Sequence, residues 1–154
     1  MKIAVVHYHL RRGGVTRVIE SAIAALSGSD CEILVLTGEA AAEPDHFPNV
    51  KVIPGLAYRK EGNATVSNSL TDALRDAAQD HFGSMPDLWH FHNHSLGKNV
   101  LIPSVVCELA ESGQHLLLQM HDFSEDGRPT NYATQRSFFD SEEKFQRFPT
   151  RSPD

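Results

Sequence analysis

Residues 1–26, MKIAVVHYHLRRGGVTRVIESAIAAL, contain an apolar strand, a basic glycine turn and an amphipathic helix in succession. The run from Ile3 to Val6 is apolar throughout and short, which is typical of a strand buried on both faces of a parallel sheet. The helix repeats apolar residues at helical spacing, so that they form one stripe. The stripe consists of Val15, Val18, Ile19, Ala22, Ile23 and Leu26. We therefore expect this helix to pack on the sheet that contains the strand.

The turn between the strand and the helix consists of Arg11, Arg12, Gly13 and Gly14. Glycine permits a positive φ and lets a ligand approach the backbone without meeting a Cβ. The free N–H groups and the positive dipole end of the helix face the same point, so the turn is a candidate anion site. Neither G-x-G-x-x-G nor G-x-x-x-x-G-K-[ST] spacing occurs there, which argues against nicotinamide or ATP binding of those kinds. A tight βα turn without a ligand is the open alternative.

The composition limits the classes of protein to consider. The chain has 154 residues, enough for one domain with a core, and its formal net charge of -6 argues against nucleic acid as the main partner. No apolar segment approaches the ~18 residues that span a bilayer, and His7 and His9 follow the first strand too early for a signal peptide. Cys31 and Cys107 are interpreted as buried thiols of a reducing compartment. We expect a cytoplasmic protein with no transmembrane segment.

The remaining chain alternates predicted strands with predicted helices. Apolar runs predict four further strands, at 32–37, 50–53, 88–92 and 116–120. We expect the last of these to be a buried strand. Because crossovers between parallel strands are right-handed, the pattern predicts an α/β, Rossmann-like fold with a mostly parallel sheet and helices on both faces. Ligands bind such sheets at the carboxyl edge of the strands.

Two further helices follow from the apolar periodicity. One begins at Ser69, which has capping-box-like spacing to Asp72, and continues to Gly83. The other has Pro103 in its first turn and ends at Gly113. A single helical turn is expected at 40–43, and a helix of the polar tail at 133–148.

Nine histidines are many for this length, and seven of them lie inside predicted strands or at their ends. These are His7, His9, His90, His92, His94, His115 and His121. The H-x-H spacing occurs in some zinc hydrolases, so a metal-dependent hydrolase is an open alternative. A metal site requires three converging ligands with oriented partners, and no carboxylate set to orient them is evident, so we expect no bound metal. His90 and His115 lie inside apolar runs and are interpreted as hydrogen-bonded core residues.

The second informative stretch is His121-Asp122-Phe123, which directly follows the last apolar strand. A polar pair at the carboxyl end of a strand lies where sites in α/β proteins are built. The sequence therefore places a second candidate functional segment on the same sheet edge as the glycine turn.

Three motifs in this order resemble the N-terminal domain of family 4-like retaining glycosyltransferases, over about residues 1–128. They are the strand-Gly13-Gly14-helix opening with Thr16 and Arg17, the strand at 86–92, and the apolar strand that ends in His121-Asp122. The resemblance implies one half of a GT-B fold, which has two Rossmann-like domains. It implies transfer of a sugar from a nucleotide-sugar donor to a carbohydrate or small-molecule acceptor, with retention of configuration and without a metal or another cofactor.

The resemblance also implies roles for individual residues. His121 would be the catalytic residue at the site of sugar transfer, and Gly13, Gly14 and Thr16 would bind the donor diphosphate. The acceptor side would be lined by His9, His92, His94, Asp122 and Arg128.

Residues 1–132 are expected to form an incomplete N-terminal glycosyltransferase domain, and 133–154 a tail that is partly helical or disordered. The donor-binding C-terminal domain of the family has no counterpart in these 154 residues. We therefore expect the chain by itself to be inactive and to self-associate through its exposed cleft surface. A non-catalytic flavodoxin-like binding module is the second alternative.

Overall fold

The computed structural model describes residues 1–61 and 64–138. Five strands and four α-helices lie along these residues. In chain order they are β1 (Lys2–His7), α1 (Gly14–Leu26), β2 (Glu32–Thr37), β3 (Val50–Val52), α2 (Ala64–Phe82), β4 (Leu88–His92), α3 (Ile102–Glu111), β5 (Leu116–Gln119) and α4 (Pro129–Phe138). The bounds of β2 and β4 coincide with those predicted from the sequence.

The five strands form one sheet in the order β3-β2-β1-β4-β5, and every neighbouring pair is parallel. β1 is central, with Ala4 opposite Leu34 of β2 on one side and Trp89 of β4 on the other. This is the strand order of the dinucleotide-binding Rossmann fold and differs from the flavodoxin-like order 2-1-3-4-5. The predicted α/β, Rossmann-like fold is confirmed.

Helices cover both faces of the sheet because the strand residues alternate between two hydrophobic clusters. Even-numbered residues of β1 and odd-numbered residues of β4, such as Val6 and Phe91, pack against α2 and α3. Odd-numbered residues of β1, such as Val5, pack with Ile19 of α1 on the opposite face. Trp89 is fully buried in the first cluster, and its indole N–H donates to Gln114 Oε1 at 3.1 Å.

α2 begins at Ala64, one turn earlier than the capping-box spacing at Ser69 predicted. The buried hydroxyls of Ser67 and Thr71 donate to the two carboxylate oxygens of Glu108 on α3. These contacts between the two helices fix the first turns of α2, and no local capping signal reports them. The helical turn expected at 40–43 is instead a 3-10 turn at Pro44–His46.

The prediction that β5 is a buried strand is wrong. Leu117 is 46% exposed, because β5 is an edge strand whose one neighbour among the described residues is β4. His115, expected in the core, is exposed at the amino end of β5. His90, by contrast, is half-buried, and its Nε2 lies 2.9 Å from Gln119 Oε1. Position at the sheet edge therefore overrides the apolar character of the strand.

The expected boundary at residue 132 falls within α4, whose last residue, Phe138, packs against the main hydrophobic cluster. The part of the tail prediction that concerns 139–154 lies outside the described residues. Both cysteines are free and only partly buried. Over the described ranges, no helix is both long enough and apolar enough to cross a membrane.

Candidate functional site

The sheet has a topological switch point between β1 and β4. The connection that leaves β1 leads to β2 on one side, whereas the connection that leaves β4 leads to β5 on the other. Ligands of open α/β sheets bind in a crevice at the carboxyl ends of the strands beside such a point. β1 ends at His7 and β4 ends at His92, so both strands bring histidine to this crevice.

The buried, neutral side chain of His7 connects the ends of β1 and β4. Its Nδ1 lies 3.2 Å from the carbonyl oxygen of His92. Because a carbonyl only accepts, Nδ1 carries the proton and donates it. Burial lowers the pKa of His7 to about 4, so the ring is uncharged at neutral pH.

Asn93 connects three segments at the crevice. It has a φ of 55°, in the left-handed region that asparagine adopts more readily than most residues. The Tyr8 hydroxyl donates to its carbonyl oxygen at 2.5 Å. Its side-chain Oδ1 accepts from the backbone nitrogens of His121 at 2.7 Å and Asp122 at 3.2 Å. Asn93 thereby joins the segment after β1 to the segment after β5.

The side chains of His92 and His121 form a hydrogen-bonded pair. The Nδ1 atom of His92 lies 2.9 Å from Nε2 of His121, and the two ring planes are nearly parallel, at 10°, with centroids 5.3 Å apart. His92 is 2% exposed, whereas His121 is exposed. Burial, followed by the nearby His90, His7 and His121, lowers the pKa of His92 to about 3. The buried ring is therefore neutral and supports the exposed one.

The other residues predicted on the acceptor side differ in accessibility. Asp122 pairs with Arg128 at 3.2 Å, and both side chains are exposed. His9 Nε2 lies 2.8 Å from the Tyr58 hydroxyl, and Lys98 Nζ lies 5.1 Å from the centre of the Tyr58 ring. These groups line the open edge of the crevice.

His94 is 1% exposed, and burial lowers its pKa to about 4. Contact between its ring and an acceptor would require its neighbours to move. His92 likewise faces His121 rather than open solvent. The sequence pattern did not separate these two buried histidines from the accessible ones.

The glycine turn forms the amino end of α1, with Gly13 at the N-cap. Gly13 has an extended φ of 171°, and Gly14 lies within the helix, so neither glycine uses the positive φ that this residue type permits. A Cβ on Gly14 would meet no atom within 4 Å. The space beside the turn is therefore open to a ligand, and no side chain caps the helix.

Thr16, predicted to bind the donor, is 6% exposed and donates its hydroxyl to the carbonyl oxygen of Arg11 at 2.5 Å. In this arrangement its hydroxyl holds the turn, and the backbone of the turn faces outward.

Three arginines surround the turn, each paired with a carboxylate. Arg11 binds Glu39 at 2.7 Å, Arg12 binds Glu43 at 2.5 Å, and Arg17 binds Glu20 at 3.1 Å. The side chains of Arg12 and Arg17 are 85% and 77% exposed. Such exposed pairs contribute only about 0–1 kcal/mol, so either arginine can turn toward an anion at little cost. A cleft of about 370 Å³ lies beside Gly13, lined by both arginines and by their partners Glu20 and Glu43.

The rings of His7, His90 and His121 surround that of His92, with centroid distances of 6.1, 4.2 and 5.3 Å, but among the described residues no three histidines bring their ring nitrogens within 4.8 Å of one another. In the described part of the chain, one group of three metal-ligating side chains brings its ligand atoms within 4.8 Å of one another: Glu20, Glu43 and His46. Both glutamates already pair with arginine, and His46 Nδ1 lies 3.1 Å from Glu20 Oε1. The charges of this group are therefore balanced without a cation.

Sequence reasoning missed Tyr8, Tyr58 and Asn93. An asparagine immediately after a buried strand is a signal for a left-handed residue, and it was available in the sequence. A tyrosine between two histidines is a weaker signal. The pairing of Tyr58 with His9 gives no local signal, because the two residues are far apart along the chain.

The strand order, the crevice at the switch point and the glycine turn together define a Rossmann-like α/β protein with a histidine-containing site at its carboxyl edge. No protein-family model matches the chain. The chain is similar to mannosylglucosyl-3-phosphoglycerate synthase of Petrotoga mobilis, with 25% identity over 146 residues, covering 88% of this chain and 28% of that enzyme. It thus spans less than a third of the length of this curated relative. The similarity supports a relationship to glycosyltransferases in general, which is coarser than the family resemblance drawn from the motifs.

Proposed function

We propose that this chain forms the acceptor-side part of a glycosyltransferase that moves a sugar from a nucleotide-sugar donor to a carbohydrate or small-molecule acceptor, with retention. The observation that carries the proposal is the placement of His121. It is an exposed polar group at the carboxyl edge of β5, held by His92 and Asn93 from β4 and its end. The similarity to a synthase of a glycosylated compound supports this reaction class over others that use the same fold.

The donor diphosphate would bind at the amino end of α1. The open space at Gly13 and Gly14 lets phosphate oxygens reach the backbone N–H groups, and the helix dipole favours their charge. Arg12 and Arg17, freed from their exposed pairs, would add charge-assisted hydrogen bonds. Thr16 contributes by holding the turn from within.

The acceptor would lie along the open edge of the crevice. Asp122 with Arg128 and His9 with Tyr58 present polar groups that can exchange hydrogen bonds with hydroxyl groups. His121 would form a hydrogen bond with an oxygen on which charge develops during transfer. In this role it stabilises the transition state more than the ground state.

The nucleotide and the donor sugar would be held by a second domain. A single exposed helix N-terminus contributes about 0.3–1 kcal/mol to binding an anion, whereas micromolar affinity corresponds to about 8 kcal/mol. The similar enzyme is more than three times as long as the part that this chain matches. We propose that catalysis needs this second domain, and that neither a metal nor another cofactor takes part.

The two alternatives are weaker on structural grounds. A histidine-based metal hydrolase lacks three converging histidines in the described part of the chain. A flavodoxin-like module has a different strand order. Elemental analysis of the purified protein tests the first alternative, and one equivalent of zinc held by three histidines would restore it.

The proposed function is tested by a transfer assay with the polypeptide encoded by the whole reading frame that contains this chain. UDP-, GDP- and ADP-sugars are combined with a panel of acceptors that includes sugars and phosphorylated hydroxy acids, and products are detected by mass spectrometry. We expect a glycoside whose anomeric configuration matches that of the donor. Hydrolysis alone, or no product from any pair, would overturn the proposal, and an inverted product would overturn retention.

A further inference from the structure

The two ring nitrogens of His92 have very different surroundings. Nδ1 bonds to Nε2 of His121 at 2.9 Å. Nε2 is buried and has no hydrogen-bond partner among residues 1–61 and 64–138. His92 and His90, whose ring centroids lie 4.2 Å apart, both line a cavity of about 200 Å³ between α1 and the sheet, and its other walls are mostly aliphatic side chains such as Val5, Ile23 and Leu117.

This asymmetry decides which nitrogen of His92 carries the proton. A neutral imidazole has one N–H donor and one acceptor nitrogen. If the proton were on Nε2, a buried N–H group would have no acceptor within hydrogen-bond distance among the described residues, and such orphaned donors are rare in folded proteins. If the proton is on Nδ1, it is donated to His121, and only a lone pair faces the cavity. The tautomer with the proton on Nδ1 is therefore favoured, because it leaves a lone pair unpaired and not an N–H group.

We infer that His92 is a positioning residue that donates from Nδ1 to Nε2 of His121, so that neutral His121 presents its Nδ1–H group to the ligand as a hydrogen-bond donor. His121 then acts by donating a hydrogen bond, not by accepting a proton as a general base. The catalytic part of this inference rests on the proposed function, whereas the tautomer does not.

The surrounding contacts support this assignment. Burial keeps His92 neutral, with its pKa lowered to about 3, so the pair shares one proton at the 2.9 Å contact. His7 uses its own Nδ1 proton on the backbone carbonyl of His92 and leaves the ring of His92 free to face His121. Asn93 holds the backbone nitrogen of His121 at 2.7 Å, which fixes the direction from which the ring approaches. In the described part of the chain, Nδ1 of His121 has no hydrogen bond.

The outward N–H group has a definite chemical use. In sugar transfer from a nucleotide donor, negative charge grows on the oxygen of the departing diphosphate. A fixed N–H donor stabilises that charge without any reorganisation at the moment of reaction. A neutral imidazole with the opposite tautomer would present a lone pair to the same oxygen and would repel it.

The tautomer is measured by long-range ¹H–¹⁵N NMR of the uniformly labelled 154-residue chain at about pH 8.5, some two units above the ordinary histidine pKa of about 6.5. His92→Phe keeps a ring of similar size and removes both nitrogens, and His121→Ala assigns the His121 signals. We expect both His92 and His121 to carry their proton on Nδ1 in the parent chain. In His92→Phe, His121 should lose this preference.

Protons on Nε2 of His92 and His121 in the parent chain would overturn the inference, and this result does not depend on whether His92→Phe folds. An unchanged His121 tautomer in a folded His92→Phe chain would overturn the positioning role. In the transfer assay, His92→Phe should lower turnover at least about tenfold with the KM for the donor little changed. His92→Asn, which can place an amide N–H at the same point, should recover part of the loss. A protein with the expected tautomers but no transfer activity would contradict the proposed function and leave the assignment of His92 standing.

Discussion

The Oδ1 atom of Asn93 lies 2.7 Å from the backbone nitrogen of His121 and accepts its hydrogen bond. Asn93 follows β4, and His121 follows β5, so a single side chain couples the ends of two neighbouring strands. The same oxygen also accepts from the nitrogen of Asp122 at 3.2 Å. The geometry of the proposed transfer site therefore depends on a residue that is itself buried.

Two substitutions of Asn93 distinguish the contribution of its backbone conformation to stability from that of its side-chain hydrogen bonds. Asn93→Gly tolerates the φ of 55° and removes the acceptor, so we expect a loss of about 1–2 kcal/mol in the free energy of unfolding. Asn93→Ala also places a Cβ in the left-handed region and should lose roughly 1–2 kcal/mol more. Urea denaturation measures both values. Equal stability of the parent and both variants would refute this role.

The stability of the fold should fall as the solution becomes acidic. Burial lowers the pKa of His7 to about 4, of His92 to about 3 and of His94 to about 4, whereas an unfolded histidine titrates near 6.5. Between these values the unfolded chain binds more protons than the folded chain, so stability is fully present above about pH 6.5 and is lost below it. The slope should approach about 1.4 kcal/mol per pH unit for each histidine.

Unfolding free energies measured from pH 7.5 to 5 test this dependence, since carboxylates titrate mostly below that range. His94→Asn should show a shallower slope than the parent, whatever its absolute stability. Exchange of the exposed His115 for Asn serves as the matched control and should leave the slope unchanged. A parent protein whose stability is constant over this range would contradict the burial of neutral histidines.

A Cβ atom added at Gly14 would meet open space, whereas one added at Gly38 would meet backbone atoms. Substitution should therefore affect the free energy of unfolding differently at these two positions. At Gly14 a Cβ meets nothing within 4 Å, so Gly14→Val should change the unfolding free energy by less than about 1 kcal/mol. The branched side chain would nevertheless block phosphate from the backbone and should raise the KM for the nucleotide sugar. An unchanged KM would contradict the proposal that the glycine turn binds the donor.

Gly38 is the contrasting position. A Cβ there would lie 2.1 Å from the backbone nitrogen of Ala57, which cannot move without its own segment. Gly38→Ala should therefore lower the free energy of unfolding by about 1–3 kcal/mol, as overpacked sites do. Thermal denaturation of the two variants side by side checks both expectations.

The sequence predicted the parallel fold because its strongest signals are local. The apolar runs at 32–37 and 88–92 and the helical stripe of α1 each need only neighbouring residues to be read, and the structure reproduces them. The edge position of Leu117 could not be predicted, because an apolar run has the same pattern in a central strand and in an edge strand. The start of α2 was missed for a similar reason, since its contacts with Glu108 join residues about forty positions apart.

The sequence predicted where the candidate site lies but not how its side chains pair. The switch point and the polar pair after β5 followed from the order of strands and helices. The pairing of His92 with His121 depends on ring orientation, and the burial of His94 depends on the segment that covers it. Neither property is encoded in the H-x-H spacing, and the family resemblance implied the same acceptor-side role for His92 and His94.

The 154-residue chain alone should bind nucleotide sugars weakly and transfer none. One exposed helix N-terminus with two adjustable arginines falls far short of the roughly 8 kcal/mol of micromolar binding. Calorimetric titration with UDP-, GDP- and ADP-sugars measures this directly. Micromolar affinity, or turnover by the isolated chain, would contradict the proposal that a second domain completes the site.

The most direct test of the account is the turnover of His121→Ala in the transfer assay, measured beside His115→Ala in the same polypeptide. His115 lies exposed at the opposite end of β5, so its replacement controls for the loss of a surface histidine. We predict that His121→Ala lowers turnover by about 10²–10³, as the loss of one fixed transition-state donor does, while donor binding and the fold are kept. His115→Ala should retain the parent rate. Equal, near-parent turnover of both variants would contradict the central claim that His121 is the group at which sugar transfer takes place.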